Sequence, residues 1–199
     1  MHEPAFDQFL RAIISTLEEL GHPYMIGGSV ASSLYGEPRS TQDVDIAVVI
    51  PLDEVGFFVQ AFEALDYYVS LEAAIDALTH RLPFNIIDPE SGYKADIFII
   101  ETAKAEPLEQ SALARRQRLT ISEAQGASAS FYSPEDVILY KLKYFVQGRS
   151  DKHLRDILAM LVVQGASLDV NYVSRWAVTI GADEVWRRLW SEYQRRINP

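Results

Sequence analysis

No cysteine occurs in the 199 residues, so disulfides and thiolate metal sites are excluded, and any bound metal must be held by oxygen or imidazole. Histidine is scarce as well. His2, His22, His80 and His153 stand far apart without ligand-like spacing, and none is assigned to a metal. Long apolar runs are missing: Ile46 to Leu52 and Ile97 to Ile100 fall far short of the roughly 20 residues that span a bilayer. The opening Met1-His2-Glu3-Pro4 lacks the basic stretch of a secretory leader, so no membrane association and a cytoplasmic location are expected. Positive charge is in deficit. With 18 Lys and Arg against 28 Asp and Glu, the net charge of −10 argues against broad adhesion to nucleic acid, which depends on basic side chains displacing counterions. A local basic patch could still bind RNA, but the clusters Arg115, Arg116, Arg118 and Arg187, Arg188, Arg195, Arg196 read first as solvated faces. Gly/Pro/Ser tracts and like-charge blocks are also absent, and with 48% hydrophobic residues the chain reads as a folded core domain with a small appendage.

What is present begins with an amphipathic helix. Phe6, Phe9, Leu10, Ile13, Leu17 and Leu20 recur at helical spacing, and Gly21 closes the pattern. Tyr24-Met25-Ile26, Gly27-Gly28-Ser29 and Val30 to Tyr35 then read as strand, tight turn and helix. Asp43-Val44-Asp45-Ile46-Ala47-Val48-Val49 alternates polar and β-branched residues, so it reads as a strand with one buried face and with Asp43 and Asp45 on the same side. A second amphipathic helix covers Val55 to Leu65, and a weaker one lies near Ala73 to Leu78. Leu82 to Ile87 and Lys94 to Ile100 flank Asp88-Pro89-Glu90-Ser91-Gly92, which predicts a hairpin. A further strand pair is expected around Leu119 to Ile121 and Ser128 to Tyr132. At Ser133-Pro134-Glu135-Asp136 the pattern changes to an N-cap serine, a proline at the first helical position and an acid at the third. Helices follow at about 134 to 147, 151 to 164, 169 to 180 and 183 to 196. The expected organisation is a mixed α/β (α+β) core over 1–130, its β-sheet flanked by helices, and a C-terminal α-helical region over 131–199.

Two short motifs carry the chemistry. Carboxylates two apart on a strand point the same way, so Asp43 and Asp45 can share hard divalent cations, and Asp96 from another strand is the best-placed third ligand. Glycines at 27 and 28 let an anion approach the backbone, and the Ser29 hydroxyl at the following helix start can hold a phosphate oxygen. Each signal is weak alone; their order along the chain gives them weight. Alternatives stand beside them. Asp96 could pair with Lys94 on the same face, Arg39 could meet either a phosphate or Glu37, and Lys141 could be a solvated lysine near Glu135 or Asp136. Asp151 with Arg155, and Lys152 with Asp156, have ion-pair spacing on a helix. Trp176, Trp186 and Trp190 read as core or interface residues.

Gly27-Gly28-Ser29, Asp43-Val44-Asp45 and Asp96 resemble the signature of the DNA polymerase β-type nucleotidyltransferase superfamily, and Arg39 to Ile46 resembles its minimal bacterial members. Ser133 to Leu142 followed by Arg149 to Ile157 is similar to the tail of the abortive-infection type IV toxin-like (AbiEii-like) nucleotidyltransferases, although His153 stands where that family often has an aspartate. The resemblance implies a nucleotidyltransferase fold that uses Mg²⁺ (or Mn²⁺). It implies metal binding and catalysis by Asp43, Asp45 and Asp96. Nucleotide binding would fall to Gly27, Gly28, Ser29, Arg39 and Lys141. The expected activity is transfer of NMP from an NTP to an unidentified acceptor: RNA or tRNA, protein or a small molecule such as an aminoglycoside. The competing expectation is an inactive regulatory module of a toxin–antitoxin pair, which would add a partner protein.

Overall fold

The computed structural model describes residues 4–122 and 127–197, so His2 and the first three residues lie outside what is described. The chain forms two compact units. One takes the chain up to Val30 together with Arg39–Phe131, and the other takes Ala31–Pro38 and everything from Tyr132 onward.

The first unit is built on a seven-stranded sheet. Its strands are β1 (Tyr24–Ile26), β2 (Asp43–Val48), β3 (Tyr68–Val69), β4 (Phe84–Ile87), β5 (Lys94–Ile99), β6 (Gln117–Ser122) and β7 (Ala127–Phe131), in the order β3-β4-β5-β2-β1-β7-β6. β2 runs parallel to β5 and β1 parallel to β7, while the remaining pairs are antiparallel, so the sheet is mixed. The helices of this unit are α1 (Pro4–Leu20), the start of α2 (Gly28–Tyr35), α3 (Val55–Glu63), α4 (Leu71–His80) and α5 (Pro107–Arg115). α1 buries Phe6, Phe9, Ile13 and Leu17, the residues its helical period puts on one side, and Phe6 meets Tyr93 edge-on at 5.3 Å. Val44, Ile46 and Val48 of β2, Ala95 and Ile97 of β5, and Phe58 and Phe62 of α3 are fully buried. Each such large apolar side chain contributes roughly 1.5–3 kcal/mol through its removal from water.

The predicted hairpin is β4 and β5. Its turn is fixed by Asp88, whose carboxylate accepts from the Glu90 amide at 3.0 Å and the Ser91 hydroxyl at 2.5 Å, with Gly92 at φ 75°. The Ser91 hydroxyl holds the Asp88 carboxyl below its ordinary value. The predicted strand pair is β6 and β7; residues 123–126 between them lie outside the described residues. α5 is an addition to the expected elements. It starts with a capping box, in which the Glu106 and Glu109 side chains each accept from the other's backbone amide, and Pro107 sits in its first turn. Among the basic clusters, Arg118 forms a two-pronged pair with Glu18 at 2.5 and 2.9 Å.

The second unit is helical. Alongside the rest of α2 it contains α6 (Pro134–Gly148), α7 (Asp151–Gln164), α8 (Val170–Thr179) and α9 (Asp183–Ile197). Its core includes Ile138, Leu142, Ile157, Met160, Leu161, Val173, Trp186 and Leu189. Ser133 caps α6 as its sequence predicts, its oxygen accepting the Asp136 amide. The two acids behind it are buried. Asp136 accepts from the Ser133 hydroxyl at 2.6 Å and the Tyr172 hydroxyl at 2.7 Å, and Glu135 accepts from the Asp169 amide at 3.0 Å. These bonds tie the start of α6 to the start of α8, which is how the unit tolerates carboxylates inside it. On α9, Arg187 with Asp183 (2.7 Å) and Arg196 with Glu192 (2.5 Å) are exposed pairs four residues apart, in keeping with a solvated face. No helix among the described residues is long and apolar enough to cross a membrane.

Two tyrosines give the fold an alkaline limit. Burial raises the Tyr24 phenol above its ordinary value, assisted by its bond to Glu18 (2.5 Å). Burial likewise raises Tyr35, whose hydroxyl donates to the Tyr132 carbonyl at 2.9 Å; the charges of Glu135 and Asp136 add to that shift. A raised folded-state pKa leaves stability intact below the unfolded value near 10 and removes it as pH rises from there through the folded value. Denaturation midpoints are therefore expected to fall above about pH 10, with tyrosinate absorbance from these residues appearing together with unfolding. Tyr24→Phe should lessen that fall; an unchanged pH profile would exclude Tyr24 as a contributor.

Candidate active site

The site is assembled in the first unit from two parallel neighbouring strands and one turn. In the β2–β5 register, Asp43 stands opposite Lys94 and Asp45 opposite Asp96. Alternation along each strand buries Val44, Ile46, Ala95 and Ile97 on one face and leaves Asp43, Asp45, Lys94 and Asp96 partly open on the other. The three aspartates expected from the sequence thus share one face of adjoining strands, and Lys94 completes the square.

The glycine turn is fastened to the same strand. The Gly27 amide donates to the Asp45 carbonyl at 2.8 Å, and Gly28 follows at φ 56° as the first residue of α2. A Cβ on Gly28 would lie 1.7 Å from Asp45 Oδ2 and 2.9 Å from Asp45 Cβ, so only glycine lets the turn come this close to the carboxylate. Ser29 is buried next to it and accepts a hydrogen bond from the Arg39 guanidinium. Arg39 is thereby placed with its charge at the glycine turn.

Each carboxylate has a local partner. Thr41 Oγ1 donates to Asp43 Oδ1 at 2.6 Å. Lys94 Nζ lies 2.8 and 2.9 Å from the two oxygens of Asp96, the pairing that their spacing allowed, and Asn85 on β4 donates to Asp96 Oδ1. That bond to Asp96 raises the Lys94 pKa above its ordinary value, with further contributions from the charges of Asp43 and Asp45. With the side chains so engaged, no three Asp, Glu or His among the described residues are gathered closely enough to hold a metal ion as they stand. In donor chemistry, though not in their present spacing, the three aspartates match what a hard divalent cation takes. Three carboxylates on one face, one of them against a turn with no Cβ, are the oxygen ligands such an ion takes.

Lys141 belongs to the helical unit. Its ammonium is 2.6 Å from Asp156 Oδ2, with Lys141 buried and Asp156 largely so. Helical spacing pointed Asp156 toward Lys152; the turn between α6 and α7 brings it to Lys141. Two partners of the site carried no usable sequence signal. Asn85 reaches Asp96 only through the β4–β5 register, and Thr41 precedes its strand in an irregular stretch.

No family model matches the sequence, and no curated protein matches it either. Solved structures do match. An antigenic nucleotidyltransferase-like protein from Paracoccidioides brasiliensis superposes with a TM-score of 0.61 at 20% identity, covering 92% of this chain and 88% of that one. The solution structure of the antibiotic-resistance factor ANT(2'')-Ia gives 0.57 at 16% identity over 96% of both chains. Its crystal structure with adenylyl-2''-tobramycin gives 0.58 at 16% identity, covering 87% of this chain and 95% of that one. At such identities the likeness speaks to architecture: this chain has the nucleotidyltransferase fold.

Proposed function

We propose that the protein transfers a nucleoside monophosphate from an NTP to an acceptor hydroxyl and releases pyrophosphate. The observation that carries this reading is the registration of Asp43, Asp45 and Asp96 on one sheet face beneath a glycine turn closed onto Asp45. In it, Asp43 and Asp45 hold Mg²⁺ or Mn²⁺ and Asp96 completes the acceptor-side ligands, the bound ions supplying charge neutralisation and Lewis acidity at the α-phosphate. The Gly27-Gly28 turn, the backbone amides at the start of α2 and the Arg39 guanidinium neutralise and orient the triphosphate. The Asp96 carboxylate faces the acceptor hydroxyl and draws its proton as the acceptor oxygen bonds to the α-phosphorus and the bond to pyrophosphate breaks.

The test is incubation with each α-labelled NTP, Mg²⁺ and separate pools of RNA, protein and small molecules. An aminoglycoside belongs in the last pool because the structurally similar ANT(2'')-Ia was solved with an adenylylated one. Label is expected in one pool, with loss of NTP and gain of pyrophosphate. NTP binding with no pool labelled would turn the reading toward a regulatory module that binds nucleotide, the form expected of one half of a toxin–antitoxin pair.

A further inference from the structure

Lys94 is the feature of the aspartate square that nucleotide transfer does not by itself require. It is two residues from Asp96 on β5 and directly opposite Asp43 on β2, so one ammonium group stands among three carboxylates. Its Nζ engages both oxygens of Asp96, at 2.8 and 2.9 Å. With the Asn85 amide also donating to Oδ1, most of the acceptor positions of Asp96 are filled and its charge is offset by the ammonium, which weakens what it offers a second cation. The Lys94 side chain is 42% exposed, on a long flexible stem, and leaving Asp96 for solvent needs no backbone change.

We propose that Lys94 is a tethered counter-cation: it neutralises the aspartate face when no metal is bound and is displaced from Asp96 when a divalent ion loads. The inference rests on the reading of these aspartates as metal ligands. Without an internal cation, three carboxylates on adjoining strands would repel one another and destabilise the sheet where β2 meets β5. With it, metal binding is an exchange of one cation for another, and the ammonium–carboxylate attraction is subtracted from the affinity. Lys94 therefore sets the cation concentration at which the site fills. It also makes loading reversible, because the displaced ammonium stays within reach.

The test compares wild type with Lys94→Met and Lys94→Gln by Mn²⁺ titration, following free Mn²⁺ by electron paramagnetic resonance, and by thermal denaturation with and without Mn²⁺. Removing a neighbouring positive charge is expected to tighten Mn²⁺ binding by roughly tenfold or more, as for a unit charge a few ångströms away in a partly solvated site. Both variants should melt below wild type without metal and recover at saturating Mn²⁺. A lysine that only braces the strands would lower the midpoint equally in both conditions. Unchanged or weaker Mn²⁺ binding in the two variants overturns the inference. Asp43→Asn/Asp45→Asn separates the two levels. If wild type binds Mn²⁺, the double variant does not and Lys94→Met binds like wild type, the Lys94 inference alone fails. If neither wild type nor the Lys94 variants bind Mn²⁺, the metal reading fails and takes this inference with it.

Discussion

Gly28→Ala is expected to lower nucleotide transfer by roughly a hundredfold or more, because displacing catalytic groups by about an ångström commonly has that effect. Two separate constraints meet at this position. Its φ of 56° lies in the left-handed region, where a side chain adds about 1 kcal/mol of strain. The larger effect is steric. A methyl group there would sit 1.7 Å from Asp45 Oδ2, 2.5 Å from Asp45 Cγ and 2.9 Å from Asp45 Cβ. Rotating the carboxylate would relieve the first two contacts but not the third, so either the turn lifts away from β2 or the strand yields. Both outcomes separate the turn, proposed to bind phosphate, from the Asp45 carboxylate it was closed onto. Gly21→Ala supplies the control. Gly21 has φ 70°, but a methyl group added there would meet nothing within 4 Å, so that substitution should cost about 1 kcal/mol of stability and leave transfer unchanged. Thermal denaturation and initial rates on both variants check the pair, and a Gly28→Ala protein with wild-type rates would remove the turn from the site.

The contrast between these glycines shows how far the sequence could be read. Gly-Gly-Ser between a short strand and a helix marks a tight turn wherever it occurs. That its second glycine abuts Asp45, on the next strand, depends on β1 and β2 pairing antiparallel, which no local pattern encodes. The same holds for the carboxylates. A period of two places Asp43 and Asp45 on one face from the sequence alone, whereas the alignment of Asp96 with Asp45 needs the parallel β2–β5 pairing across two intervening helices and two strands. Long-range register is set by burial of whole strand faces, and the sequence shows it only as a candidate third acid. Local signals performed differently: Ser133 announced α6 correctly, and Glu106-Pro107 carried an equally valid cap for α5, yet the weak amphipathicity of that nine-residue helix left its start unread. The Lys141–Asp156 pair joins two helices, so the four-residue spacing rule could only offer Asp156 a partner on its own helix.

Asp43→Asn and Asp45→Asn should each reduce transfer by about a thousandfold or more, the scale of several kcal/mol of lost charge stabilisation at the reacting phosphate. What makes the prediction discriminating is the expected sign on stability. The substitutions preserve side-chain volume, and in Asp43→Asn the new amide keeps a carbonyl oxygen able to accept from Thr41, so the strand loses no packing. Each also removes one negative charge from a face where three carboxylates share the Lys94 ammonium. Melting temperature without metal should therefore stay level or rise, while the stabilisation gained on adding Mg²⁺ should disappear, since an amide is a far poorer ligand for a hard cation. Residues kept only for structure behave in the opposite way, losing stability in proportion to function. If either variant melts lower than wild type without metal yet retains Mg²⁺-dependent stabilisation and transfer, these aspartates are sheet-face carboxylates with a structural role.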